Sequence, residues 1–302
     1  MLSRTLSDVS PTLTSAPPGA SVPGPAALRW KKATLAAVLS FLLNGMGQLY
    51  NRQPRKAFVF AVINVVSGLF LAHTRVLLSF WTMTIVVFME LLWKVWVIRD
   101  AAWVAALNKK QESPVPVPRF TYSVIAAIIV AGALVPSPEY IKKASGFGAF
   151  KIPSASMCPT VCLGDRLIAD MHAYNTQLPK RGDIVLIKVD LSEALFTKRV
   201  IGVPGDLVAP GPKGAVLVNG QPFHPPAPCG VPKWKKNEGS ELPDFQPITV
   251  PKGTFFVVGD NLDNSFDSRI PEFPRVTADI IRGRPLFFYW SPTASRIGCS
   301  IH

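Results

Sequence analysis

Two serines, Ser154 and Ser156, lie two apart in the stretch KIPSASMCPT at 151–160, between Pro153 and Pro159. Proline fixes its own φ and restricts the residue before it, so the backbone carrying these hydroxyls has few conformations open to it. A serine hydroxyl is scarcely ionised at neutral pH and attacks a carbonyl only with a base within hydrogen-bond reach. Histidine is the usual base, yet the four here are poorly placed: His73 falls between two apolar runs, His302 is the last residue, and His172 and His224 have no motif around them. Lysine is the alternative partner. Its reference pKa of about 10.4 must fall far for that role, and burial among apolar side chains lowers it. The run LFTKRVIGVPGD at 195–206 offers such a group: Lys198 sits in an apolar strand pattern closed by a Pro-Gly-Asp turn. On a strand Lys198 and Arg199 face opposite sides, so one is buried while the other meets solvent or an acidic partner.

Other chemistries find less support. The four cysteines, at 158, 162, 229 and 299, form no CxxC and have no histidine at ligand spacing, so the spacing predicts no metal site. A serine and a lysine suffice for hydrolysis, and no cofactor is implied. Three pairings of the cysteines are open if this half lies outside the cytoplasm. Cys158 and Cys162 are read as small buried hydrophobes beside the serine turn, with a small disulfide there as the alternative.

The elements that must hold these groups divide into two textures. The 302 residues are enough for about two domains, and 48% apolar residues beside a net charge of +13 point to a membrane protein. Lysines and arginines are spread along the chain and cluster beside apolar runs, as lipid headgroups and topology require, and do not point to nucleic acid. Residues 1–28, rich in Pro, Ser and Ala, read as a disordered tail without the apolar core of a signal peptide. Residues 29–136 read as a membrane-embedded helical region with three spans, at 57–72, 76–98 and 120–135. The apolar run 33–50 is interrupted by Asn44, Gly45, Gly47 and Gln48, and basic residues flank it on both sides, Arg29, Lys31 and Lys32 before it and Arg52, Arg55 and Lys56 after it. The positive-inside rule then puts both of its ends in the cytoplasm and makes it a re-entrant or interfacial hairpin. Spans at 57–72 outward, 76–98 inward and 120–135 outward leave everything after Pro136 outside the membrane. Glu90 and Lys94, one helical turn apart, are read as a pair that snorkels toward the cytoplasmic side.

Residues 137–302 change character. Short apolar strand patterns (RLIADMHA, DIVLIKV, AVLVNGQPF, GTFFVVGD, RPLFFYW) alternate with Gly, Pro and Asp, and Asn219-Gly220 predicts a tight hairpin. This predicts a mainly antiparallel β domain able to bury its own core, with an insert at about 207–258 to which no chemistry is assigned.

Four stretches in order, IPSASMCPTVCLGDRLIAD, RGDIVLIK, KRVIGVPGD and GDNLDNSFDSR, closed by IRGRPLFFYW, resemble the motif boxes of bacterial type I signal peptidase. The resemblance covers most of 150–284. It implies a Ser-Lys endopeptidase that removes signal peptides after an Ala-x-Ala-like site, with Ser156 as nucleophile and Lys198 as general base. It further implies that Ser154 and the backbone N–H of Ser156 form the oxyanion hole, that Ser265 orients the lysine, and that Asp267 and Arg269 are a supporting ion pair. Gly259, with Asp260 and Asn261, is expected to shape the backbone near the lysine, and Ile152 to line the substrate pocket. The implied partners are preprotein signal peptides, membrane lipids and the secretion translocon. The implied location is the cytoplasmic (inner) membrane, crossed several times, with the peptidase domain on its outer side. Two other readings stay open: a maturation peptidase dedicated to one substrate of a conjugation-type system, and a non-catalytic membrane assembly factor with a peptidase-like domain. Leu262 and Thr197 stand where the family more often has a charged and an apolar residue.

Overall fold

The computed structural model describes residues 25–107, 118–134, 137–189, 195–230 and 245–301. Six helices come first: α1 (Pro25–Leu42), α2 (Met46–Tyr50), α3 (Pro54–His73), α4 (Phe80–Ala106), α5 (Arg119–Leu134) and α6 (Pro138–Ser145). Of the expected tail, residues up to 24 lie outside the described residues, and 25–28 belong to α1 instead. The expected spans at 57–72 and 76–98 become α3, opened by Pro54, and α4, which runs eight residues past the expected end. These two helices are long and apolar enough to cross a membrane. The expected span at 120–135 becomes α5, the shortest of the three at 16 residues, about 24 Å of helix against a hydrocarbon core of about 30 Å.

Residues 33–50 fold as a helix, a turn and a short returning helix. The turn needs Gly45, at φ 98°. The return brings Gly47 so close to α1 that a Cβ there would collide with Ala36 O and Ser40 Oγ. Four alanines, Ala33, Ala36, Ala101 and Ala105, let α1 lie against α4. Amide side chains then fasten the hairpin to its neighbours, chiefly to carbonyls of α4. The buried Gln48 donates to Val97 O (2.9 Å) and accepts from Ser40 Oγ (3.2 Å), and Asn51 donates to Ala101 O (2.8 Å). At the tip, Asn44 donates to Asn64 Oδ1 (2.9 Å) and accepts from Lys94 Nζ (2.8 Å). Lys94 thus turns to Asn44 and not to Glu90, which corrects the expected pair. Large apolar side chains such as Phe58, Val66, Phe70, Ile85, Phe88 and Trp96 remain exposed on α3 and α4.

The helix α6 carries a full set of end signals. Ser137 accepts from Tyr140 N (3.1 Å), Pro138 starts the first turn, Lys142 and Lys143 occupy the last, and Gly146 ends it at φ 72°. It leads directly into an all-antiparallel β domain. Its strands are β1 (Phe147–Lys151), β2 (Arg166–Asp170), β3 (Ile184–Lys188), β4 (Leu195–Gly202), β5 (Leu207–Pro210), β6 (Val216–Val218), β7 (Gln221–Pro222), β8 (Ile248–Thr249), β9 (Thr254–Val258), β10 (Val276–Thr277) and β11 (Ile281–Trp290). The larger sheet has the order β1-β2-β11-β3-β4-β9-β10 and the smaller β7-β6-β5-β8. The expected insert holds this smaller sheet, and its end is β9 of the larger one. Val208, Val216, Val218 and Val250 pack with Ile201, Phe256 and Val258 of the larger sheet in one core; residues 231–244 of the insert lie outside the described residues. Asn219 (φ 52°) and Gly220 (φ 81°) make the tight turn between β6 and β7. Two contacts lock the helices to the larger sheet. Arg75, in the connection from α3 to α4, bonds Asp170 of β2, and Phe80 meets Phe287 of β11 edge to face at 5.8 Å.

Candidate active site

The serine turn hangs from the edge strand β1. Ile152, buried at its start, exchanges backbone bonds with the next loop: its N–H donates to Asp165 O (2.8 Å) and its carbonyl accepts from Gly164 N (2.9 Å). Ile152, Met157 and Val161 all sit in the core beneath β2, β3 and β11. That burial fixes both ends of the turn while Ser154 stays exposed and Ser156 half-buried. Ser154 Oγ and Ser156 Oγ are 3.3 Å apart.

Lys198 comes from the sheet interior. The strand β4 pairs with β3 on one side and β9 on the other, and Lys198 retains only 2% of its exposure. Its ammonium nitrogen lies 3.2 Å from Ser156 Oγ and 3.0 Å from Ser265 Oγ. Burial is the largest cause that pushes its pKa from 10.5 down to about 8; Asp267 and Asp260 pull it back up and Arg269 adds to the fall. No carboxylate bonds Lys198 directly among the described residues, which keeps the neutral amine within reach near physiological pH.

Arg199, on the opposite face of β4, is also fully buried, so both side chains of this pair are interior. It clasps Asp260 with two bonds of 2.7 Å and donates to Gly182 O (2.8 Å). Fixed by that pair, the loop after β9 lies against the serine turn. The N–H of Asn261 donates to Ser156 O (3.1 Å) and its side-chain amide to Ala155 O (3.0 Å). Gly259 is there for space: a Cβ would collide with Ser156 O and Ser265 Oγ. Its N–H donates to Asp267 Oδ2 (3.0 Å), and Asp267 in turn receives Arg269 Nε (2.8 Å) and Nη2 (3.0 Å), with Arg269 Nη2 also reaching Leu262 O (2.9 Å). Leu262 itself packs toward the core that the two sheets share.

Every residue singled out for the site from sequence, Ile152, Ser154, Ser156, Lys198, Gly259, Ser265, Asp267 and Arg269, falls within this one network or borders it. Of the three open pairings the structure has Cys158 with Cys162 and Cys229 with Cys299, the alternative reading for the first two. Cys158 and Cys162 are buried, but as a disulfide and not as two thiols. His172 bonds through its backbone to Asp170 and His224 is exposed, and among the described residues Lys198 is the basic side chain that bonds Ser156. Sequence reasoning missed the part that Asn261 plays in holding the serine turn, and missed Asp165, Ser291 and Arg296, which surround the loop after it. Asp165 stands inside a quoted motif; Arg296 has no motif, because most of its acceptors are backbone carbonyls. Among the described residues no group of three His, Cys, Asp or Glu side chains could hold a metal ion.

A family model described as "Signal peptidase, peptidase S26" matches residues 121–290. The chain is 38% identical over 150 residues to a signal peptidase I of Leptolyngbya laminosa, covering 46% of this chain and 66% of that protein. It is 37% identical over 144 residues to a signal peptidase I of Bacillus amyloliquefaciens, covering 47% and 72%. A probable signal peptidase I-2 of Synechocystis sp. is 31% identical over 194 residues, covering 61% and 78%. The hairpin and the helices α3 and α4 precede the residues matched by the family model.

Proposed function

This chain belongs to the signal peptidase family, peptidase S26, whose members cleave signal peptides, and we propose that it does so as a membrane-anchored endopeptidase using Ser156 and Lys198. One observation carries the reading: a buried lysine nitrogen held between two serine hydroxyls, one of them on a rigid exposed turn. In the neutral form Lys198 takes the proton of Ser156 as Oγ bonds to the scissile carbonyl carbon. The carbonyl oxygen gains charge and is met by the N–H of Ser156 and the hydroxyl of Ser154. Each such donor is worth about 2.7–4 kcal/mol in the transition state. The Lys198 ammonium then protonates the departing amine, which leaves an ester on Ser156. A water, deprotonated by the same lysine, hydrolyses that ester and frees the signal-peptide carboxylate. Ser265 accepts from Lys198 in either state and so holds it on line. Asp267, with Arg269, braces Gly259 behind both hydroxyls.

The substrate is a preprotein whose small side chains before the cut settle against Ile152. We place α3, α4 and α5 across the cytoplasmic membrane. Arg29, Lys31, Lys32, Arg52, Arg55, Lys56 and Arg99 then lie on the inner side, the 33–50 hairpin enters from that side and returns to it, and the β domain faces outward.

The test uses the full chain in detergent with a preprotein, comparing the unaltered protein with Ser156→Ala and Lys198→Ala. We expect one cut at the signal-peptide boundary, located by sequencing the new amino terminus, and no cut from either variant. Normal cutting by the lysine variant would remove Lys198 from the mechanism. A panel of unrelated preproteins tests breadth: cleavage of most of them supports general export processing, and cleavage of one alone points to a dedicated substrate.

A further inference from the structure

The segment after β11 lies beyond the residues matched by the family model, yet it reaches the serine turn. Arg296 has no exposed surface. Its guanidinium donates to Thr160 O (2.7 Å), Pro159 O (3.3 Å), Cys229 O (3.3 Å) and Asp165 Oδ2 (2.9 Å), and its plane covers the ring of Phe288 at 4.5 Å. Asp165 is itself held by Ser291 Oγ (2.7 Å) and accepts from Cys162 N (2.8 Å). Two of these acceptors, Pro159 and Thr160, follow Ser156 by three and four residues. The Cys229–Cys299 disulfide fastens the same segment from its far side.

A guanidinium is always charged, and buried it demands acceptors on all sides. Here Nη1 and Nη2 find them, two in the carbonyls of the loop that leaves the nucleophile, while Nε is left without a partner among the described residues. From the other flank Asn261 holds the carbonyls of Ala155 and Ser156. The nucleophile is therefore clamped before and after itself, by two segments distant in sequence.

We infer that Arg296, through Asp165 and the carbonyls of Pro159 and Thr160, is a positioning residue that sets the angle at which Ser156 meets the substrate carbonyl. The inference rests on Ser156 being the nucleophile. It predicts that loosening this clamp slows attack without reducing the number of competent serines, without weakening substrate binding and without moving the pH at which Lys198 titrates.

The experiment is burst kinetics with the p-nitrophenyl ester of a short Ala-x-Ala peptide. Ser156 Oγ forms an ester with the acyl carbon, p-nitrophenolate leaves, and the serine proton passes to Lys198. Burst amplitude counts competent serines, and the burst rate constant measures attack. For Arg296→Lys, which keeps the charge and loses the planar fork, we expect the amplitude and KM of the full chain to be retained. The rate constant should fall about ten- to a hundredfold, with the acid limb of its pH profile in place. Asp165→Asn serves as the second variant should the lysine variant fail to fold. Val208→Ala, in the core that the two sheets share, is the control for general destabilisation and should leave the rate constant unchanged. A variant that loses only amplitude, or reacts at the original rate, overturns the inference. An unaltered protein that gives no burst, or gives one that survives Ser156→Ala, overturns the assignment of Ser156 instead.

Discussion

The β domain and the helical region both bury polar groups, and they treat them in opposite ways. Around the serine turn the buried groups are charges with complementary charges beside them: Arg199 with Asp260, Arg269 with Asp267, Arg296 with Asp165. Lys198 is the exception, given two hydroxyls and no direct carboxylate. In the helical hairpin most of the buried work falls to amides, with Gln48, Asn51 and Asn44 closing on backbone or on one another. A buried ion pair leaves its scaffold rigid, at a desolvation cost, and removing one partner strands the other. An amide joins one helix to another and carries no charge. The contrast separates where the molecule is built for reaction from where it is built for shape: chemistry lies where one charge has been left without a counterion.

The contrast can be broken in four places. The largest effect belongs to the uncompensated pair: Ser156→Ala and Lys198→Ala should each lower preprotein cleavage at least about 10⁴-fold, measured as kcat/KM. Ser154→Ala should cost about 10²–10³-fold, mainly in kcat; a change confined to KM would move Ser154 from the oxyanion to the substrate pocket. Third comes pH. With the Lys198 pKa near 8, kcat/KM should climb about tenfold per pH unit up to that value and then level. Stability runs the same way: between about 8 and 10.5 the unfolded chain binds a proton that the buried amine does not, so stability rises with pH, and below 8 the cost is steady at about 3 kcal/mol. Lys198→Met should therefore raise the thermal midpoint at pH 7 and lose that advantage toward pH 10.5; an equal gain at both would deny that lysine burial is the cost. The smallest effect is expected in the helices, where Gln48→Leu should lower stability by about 1 kcal/mol and leave cleavage unchanged. A large loss of activity there would erase the division between the two regions.

What the sequence disclosed follows the same division. The strand patterns and the Asn219-Gly220 turn translate into elements because each depends on a few adjacent residues. The site residues could be named in advance because they stand in short ordered motifs. Arg296 escaped notice since its acceptors lie some 70 to 140 residues away and are mostly peptide carbonyls, which any residue can offer. The choice among cysteine pairings was equally out of reach, because pairing is decided by which Cβ atoms the fold brings near. The third apolar run, expected at 120–135, forms α5 over Arg119–Leu134, of the same length, and it is shorter than α3 and α4.

The tie between Arg75 and Asp170, with Phe80 wedged on Phe287, has one more result. It joins the connection between α3 and α4 to β2, the strand that neighbours β1, and so opposes swivelling of the β domain on the helices. In a bilayer the reactive oxygen would then ride at a constant altitude above the lipid, and the protein would act as a gauge. Precursors whose cut site emerges at that altitude would be trimmed, and those emerging higher or lower would pass.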